Sequence, residues 1–290
     1  MKISIVTWDA CFRESFHTID SFGKQDYNKN QYEFIWSDFY NNQNKNLKNK
    51  INNYSNFSLY NNNNDRNKKW HLGKIINNGI KQTNGDILVI PDGDIIVPDY
   101  FLKKVENIFN NNASDNLVCY FRRWDEPKES HGVDSYNIKH LEKKCELRNL
   151  HNYGGCLAIK YKTFKEIGFY EEHDIFSGPG ASGFEQYKRF RNKGLKIMWS
   201  DVPIFHPYHN FTGSSDKFSF KLKIAANNYN WIIPYNGFEQ SWILYMRDKN
   251  LDWKANDGSI DRYLKELKSI NYYIIPQNIR KILNRIKNRK

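Results

Sequence analysis

Cysteine is sparse and follows no pattern: Cys11, Cys119, Cys145 and Cys156 stand far apart with no C-x-x-C spacing. That excludes a thiolate metal site or a disulfide-stapled scaffold and fits a reducing compartment. Long apolar runs are missing as well; none approaches the ~18 residues that a membrane span needs. The opening stretch Met1 to Val6 turns polar at Thr7, too early for a secretory signal, so a cytoplasmic protein is expected. Acidic residues are in deficit, 32 against 44 Lys and Arg, a net charge of +12. Such a balance favours phosphate-bearing partners: nucleotides, nucleic acid or anionic lipid. Recognisable nucleic-acid motifs are absent, and so is any interleaved aromatic-basic pattern outside the tail, so no nucleic-acid partner is expected. What is present is length and core material. The 290 residues, 39% hydrophobic and 16% aromatic, suffice for one large α/β domain with an appendage.

The most informative stretch runs from Asn84 to Asp99. Ile87 to Ile90 is a short apolar run bounded by Gly85 and Pro91, the pattern of a strand buried on both faces. Asp92 and Asp94 follow it, separated by Gly93. In extended chain, residues i and i+2 point the same way. Two carboxylates aimed at one point repel unless a cation lies between them, and a hard divalent ion with a phosphate partner satisfies that demand. The alternative is a plain Asp-Gly turn. The position after a buried strand and before a helix starting near Pro98 supports the metal reading, because open α/β sheets bind ligands beyond their strand carboxyl ends.

Around this stretch the spacing predicts a β-α-β opening: a strand over Ile3 to Thr7, a helix carrying Phe12, Phe16, Ile19 and Phe22, and a strand from Tyr32 to Trp36. The crossover is expected to set Thr7 beside Asp38 at the carboxyl edge, where Asp38 can take hydrogen bonds from a base or ribose or serve as a turn former. Asn41 to Asn64, rich in Asn and Lys, reads as a long mobile connection holding one strand near Phe57 to Tyr60. A helix over Trp70 to Thr83 puts Leu72, Ile75, Ile76 and Ile80 inward; Lys74 and Asn77 on another face either reach a diphosphate or meet solvent. A strand is predicted over Leu117 to Phe121, then an irregular excursion with a short helix near Ile138. Gly154-Gly155 enters another strand, Tyr161 to Ile167 is helical up to Gly168, and a glycine-rich loop leads into a helix starting around Phe184-Glu185-Gln186. Leu195 to Trp199 is the last strand, and Val202 to Phe205 run into His206-Pro207-Tyr208-His209.

The order of these pieces resembles the family-2 glycosyltransferases of the GT-A fold, in the branch with a galactosyltransferase-like C-terminal half. The resemblance rests on Thr7, the strand ending at Asp38, Asn77 to Ile80, Gly85 to Leu88, Asp92-Gly93-Asp94, Pro98-Asp99, Gly154 to Ile159, Ile167-Gly168-Phe169, Glu185 and His206. It covers residues 1–212 and implies a Rossmann-like mixed sheet flanked by helices. It further implies Mn²⁺ or Mg²⁺ held by Asp92, Asp94 and His206, with His209 in reserve. The implied donor is a nucleotide sugar, UDP-linked, and transfer is inverting. Thr7, Asp38, Lys74, Asn77 and Asp92 are the implied donor contacts. Relatives carry Glu-Asp where this chain has Glu185-Gln186, so Glu185 is the implied base; a first-turn Glu that only stabilises its helix is the alternative.

Residues 213–290 form an expected helical extension. Its end sets Ile279, Ile282, Leu283 and Ile286 on one face amid basic residues, which suits either an anionic membrane surface or a packed helix with a solvated basic side. The expected acceptor is a glycan or a lipid-linked glycan of a surface polysaccharide, with the protein peripheral at the inner face of the membrane. The competing reading is a non-catalytic nucleotide-sugar or glycan-binding protein on the same fold. A nucleotidyltransferase is disfavoured because Thr7-Trp8-Asp9-Ala10 offers no glycine-rich, basic phosphate loop.

Overall fold

The central element is the expected buried strand, whose side chains alternate cleanly between two cores. A computed structural model describes residues 1–68, 70–112, 114–176, 181–210 and 235–269. The elements of the first half are β1 (Ile3–Asp9), α1 (His17–Gly23), β2 (Tyr32–Tyr40), α2 (Lys45–Asn52), β3 (Phe57–Asn64), α3 (Leu72–Ile80), β4 (Ile87–Pro91) and α4 (Phe101–Asn110). Then come β5 (Leu117–Asp125), α5 (Ile138–Lys144), β6 (Cys156–Lys160), α6 (Tyr161–Ile167), α7 (Ala181–Asn192), β7 (Lys196–His206), α8 (Tyr235–Asp248) and α9 (Ser259–Ser269).

Among the described residues the strands form one seven-stranded sheet in the order β3-β2-β1-β4-β6-β5-β7. β6 runs antiparallel to both neighbours, while the other pairs are parallel. Ile87 and Val89 of β4 face the side packed by α1, α2 and α4, and Leu88 and Ile90 face the side packed by α3, α6 and α7. The sheet is thus sandwiched, as a strand apolar at every position requires. This is the mixed, helix-flanked α/β sheet that the sequence implies.

Three local expectations change. Thr7 pairs with Trp36, and Asp38 stands opposite Asp9, so Thr7 and Asp38 are not side by side. The stretch read as a mobile connection contains α2, capped by the Asn44 side chain on Asn46 N and Leu47 N and anchored by Leu47 and Ile51 one turn apart. Its asparagines also extend the sheet, since Asn62 Nδ2 donates to Asp38 O at 2.6 Å and Asn64 Nδ2 to Phe39 O at 3.0 Å. Finally, β5 and β7 run on to Asp125 and His206, past a register shift between Phe121 and Arg123 that breaks the two-residue period from which strand ends are read.

The helical C-terminal region packs against residues 167–193. Trp242, Met246, Ile260 and Tyr263 share a core with Phe176. Gly168 ends α6 at φ +86°, and a side chain there would come within 2.5 Å of Ala255 O. Only glycine combines that backbone turn with that approach. Residues 213–234 of the expected helical extension and its basic end from Ile279 onward lie outside the described residues. No helix among the described residues is long and apolar enough to cross a membrane.

Candidate metal and donor site

Beyond the carboxyl end of β4, the chain turns through Asp92-Gly93-Asp94 and meets the end of β7. Asp94 and the two histidines come together, each offering one ligand atom within 4.8 Å of the others. His206 Nε2 lies 3.7 Å from Asp94 Oδ1, His209 Nε2 lies 3.5 Å from Asp94 Oδ2, and the two imidazole nitrogens are 3.2 Å apart. Both rings are held from behind. His206 Nδ1 bonds Asp125 Oδ1 at 3.0 Å and His209 Nδ1 bonds Asn210 O at 3.1 Å. An Nδ1–H spent on an oxygen leaves Nε2 as the free ligand, the usual arrangement behind metal-binding histidines. Asp94 Oδ1 is buried without a hydrogen-bond partner. A buried carboxylate oxygen left unbonded beside two convergent imidazoles is a position a cation would complete.

Electrostatics follow the same geometry. Burial opposes ionisation of Asp94, but Arg13 and the two histidines outweigh it and hold its pKa well below the usual range. Burial, then the nearby Asp94 charge, pushes Asp92 up to about 6. Its Oδ1 takes the Trp8 indole N–H at 3.1 Å, and Asp92 is not among the three convergent ligands. For His206 burial again works against charge, yet the bond to Asp125 and the nearby Asp94 carboxylate raise it to about 9.

Sequence reading missed three members. Arg13, 8% exposed in its side chain, pairs with Asp94 Oδ2 and lies over the rings of Trp8 and Phe12 at 5.2 and 5.3 Å. Gly93 leaves room for it; a Cβ there would sit 2.6 Å from Arg13 Nε. Asp125, the register partner of His206, was hidden because β5 was expected to end at Phe121. Glu126 is the third. Its fully buried carboxylate accepts from Ser135 Oγ at 2.6 Å and from Tyr208 N at 2.9 Å, and also bonds His131 Nδ1 and His140 Nε2 at 2.9 and 3.0 Å. These bonds fasten the 126–140 excursion to the turn that carries His209. Glu126→Gln replaces an acceptor by a donor facing other donors. It should cost ~1–3 kcal/mol and lower the temperature of thermal unfolding, read by calorimetry.

The remaining sequence candidates are placed elsewhere. Thr7 is fully buried and donates to Pro91 O at 3.1 Å, tying β1 to β4. Asp38, also buried, accepts from Tyr40 N at 3.0 Å and Asn42 Nδ2 at 2.7 Å. Asn77 donates to Tyr170 O and Glu172 Oε1, both at 2.8 Å, and accepts from Tyr170 N. Lys74 pairs with Asp174 at 2.9 Å. Glu185, in α7, is 2% exposed and paired with Arg189, whose Nε and Nη2 both meet Oε1; Oε2 stays outside the pair.

Comparison with known proteins agrees with this architecture. No curated protein sequence matches the chain. Among solved structures, residues 1–349 of TarS from S. aureus superpose with a TM-score of 0.52 at 18% identity, covering 84% of this chain and 69% of that one. GalNAc-T7 with UDP, GalNAc and Mn²⁺ gives 0.57 at 17%, covering 94% and 58%. The mannosyltransferase PcManGT from Pyrobaculum calidifontis, with GDP-Man and Mn²⁺, gives 0.50 at 13%, covering 75% and 59%. These likenesses establish the fold. The family model described as glycosyl transferase family 2 matches residues 17–168, just over half of the chain and the whole stretch from α1 through the two acids to Gly168. With the GT-A sheet and that match together, this chain belongs to the family-2 glycosyltransferases.

Proposed function

We propose that the protein transfers a sugar from a nucleoside-diphosphate donor, UDP-linked, to a glycan or lipid-linked acceptor, with inversion and with the help of a divalent ion. The observation that carries this reading is the unbonded Asp94 Oδ1 facing His206 Nε2 and His209 Nε2. One carboxylate and two imidazoles suit Mn²⁺ better than Mg²⁺, which prefers oxygen ligands. Such an ion would neutralise the diphosphate as the glycosidic bond breaks.

The chain's own residues supply the rest. Arg13 sits on the opposite oxygen of Asp94 and adds a second positive charge where a leaving diphosphate gathers negative charge. Asp125 holds the His206 ring in register. Glu185 is the proposed proton acceptor from the acceptor hydroxyl. Burial raises its proton affinity, as a base requires, and Arg189 keeps it ionised. A second reading, binding without transfer, is favoured by Gln186 standing where relatives carry an acid.

Binding and turnover separate the two readings. With Mn²⁺ present, UDP-GlcNAc or GDP-mannose should be consumed slowly by hydrolysis and faster with acceptor; tight binding with no turnover across donors would support the second. A metal ligand that keeps its proton to about pH 9 makes metal binding proton-coupled. Raising the pH from 7 to 8 should tighten Mn²⁺ by up to about tenfold, measured calorimetrically. The protein without metal behaves oppositely. The raised His206 pKa stabilises the fold below its ordinary value of 6.5, and that contribution fades as pH climbs through about 9.

A further inference from the structure

Gln186 is an anomaly that the reading above leaves unused. It is 1% exposed, and neither its amide oxygen nor its nitrogen meets a partner at full hydrogen-bonding distance among the described residues; the Tyr170 phenol is the neighbour that interacts with the amide. A buried amide with no bond at full strength is costly, and a ligand that completes it would offset that cost. Its position is next to the site. The backbone at Gly183, one turn earlier in α7, packs against Tyr153 and Gly154, and the next residue, Gly155, accepts from Asp92 N at 2.9 Å. The Tyr170 phenol beside it is pushed up chiefly by burial and also by the Asp92 charge, while the Gln186 amide draws it back down. Glu185 next to it is engaged with Arg189 and does not reach this amide.

An amide cannot take a proton at neutral pH, so Gln186 does not replace the acid of its relatives. It donates and accepts side by side, the complement of neighbouring hydroxyls on a pyranose ring. We propose that Gln186 binds hydroxyl groups of a sugar seated beside Asp92, and so helps select which sugar the enzyme handles. This rests on the glycosyltransferase reading. Those hydroxyls belong either to the sugar on the nucleotide or to the acceptor sugar.

The test uses the full chain with Mn²⁺ and compares wild type with Gln186→Leu, and with Gln186→Met should the first variant not fold. Binding of UDP and GDP, which lack a sugar beyond the diphosphate, should be unchanged. If the donor sugar is held, affinity for UDP-GlcNAc or GDP-mannose falls by about tenfold or more, as expected where a site built to bond a hydroxyl loses its partner. If the acceptor sugar is held, donor affinity stays and the stimulation of donor consumption by added GlcNAc or mannose is lost. Either result supports the proposal, and both should come with equal or higher thermal stability of the ligand-free variant, because the incompletely bonded amide is gone. A variant that is more stable and handles every sugar like wild type overturns it. A wild-type chain that binds neither UDP nor GDP overturns the underlying reading, and this inference with it.

Discussion

Asp94→Ala should lose donor hydrolysis and transfer by about 10²–10³-fold, ~2.7–4 kcal/mol, the scale of removing one preorganised electrostatic stabiliser. Asp94 is the one carboxylate shared by both imidazoles and by Arg13. Its removal therefore takes away the anion that gathers every cation in the site. His206, whose Nε2 faces His209 Nε2 at 3.2 Å, would lose a carboxylate that helps hold its proton and would shed it more readily. Metal-dependent stabilisation should vanish in the same variant while the unfolding transition stays cooperative. Asp92→Asn is the informative companion. Its carboxylate is held by the Trp8 indole and lies outside the convergent ligand set, so Mn²⁺ affinity should fall much less than in Asp94→Ala. Full activity of Asp94→Ala would end the proposed mechanism.

Arg189→Met should destabilise the fold by ~3–5 kcal/mol, the cost of leaving a buried partner charge uncompensated. Arg189 and Glu185 are each 2% exposed, so water cannot take over from the lost guanidinium. Replacing both, Glu185→Met with Arg189→Met, should recover most of that loss, since a well-packed apolar pair often equals a buried ion pair. The pH dependence has a definite sign. Burial raises the Glu185 pKa in the folded chain, and removing Arg189 raises it further, so the folded variant binds more protons than the unfolded one. Its deficit against wild type should shrink as pH falls from 8 to 5. Denaturant unfolding of the four species at both pH values checks this. A deficit independent of pH would mean that Arg189 acts by packing alone.

Much of the architecture was legible because it rests on local periodicity. β4 announces itself by four apolar residues between Gly85 and Pro91, and α6 by its stripe and Gly168. The pair Asp92 and Asp94 could be named because it follows a strand end, and His206 because the family resemblance implied it. Less could be read where the determinant is long-range. The Asn/Lys-rich segment hides α2 because only Leu47 and Ile51 anchor it. Asp125 and Glu126 were obscured by a bulge that disrupts alternation in β5. Arg13 lies in a loop, and nothing local says that Gly93 makes space for it. Thr7, Asp38 and Asn77 carry the right chemistry for donor contacts, yet in this structure their polar atoms are spent on neighbouring backbone and side chains, a fact that only coordinates supply.

The pairing of β7 with β5, outside β6, has a consequence for how the enzyme comes into being. The acids at 92 and 94 and their bed of strands β1, β2 and β4 leave the ribosome early, whereas His206 ends β7, the last of the described strands in chain order, and His209 follows it. A nascent chain halted before residue 206 would hold the two carboxylates with Arg13 and Arg123 to neutralise them. The arginines thus face the acids first, and the cluster of Asp94 with the two imidazoles closes only when the edge strand β7 docks.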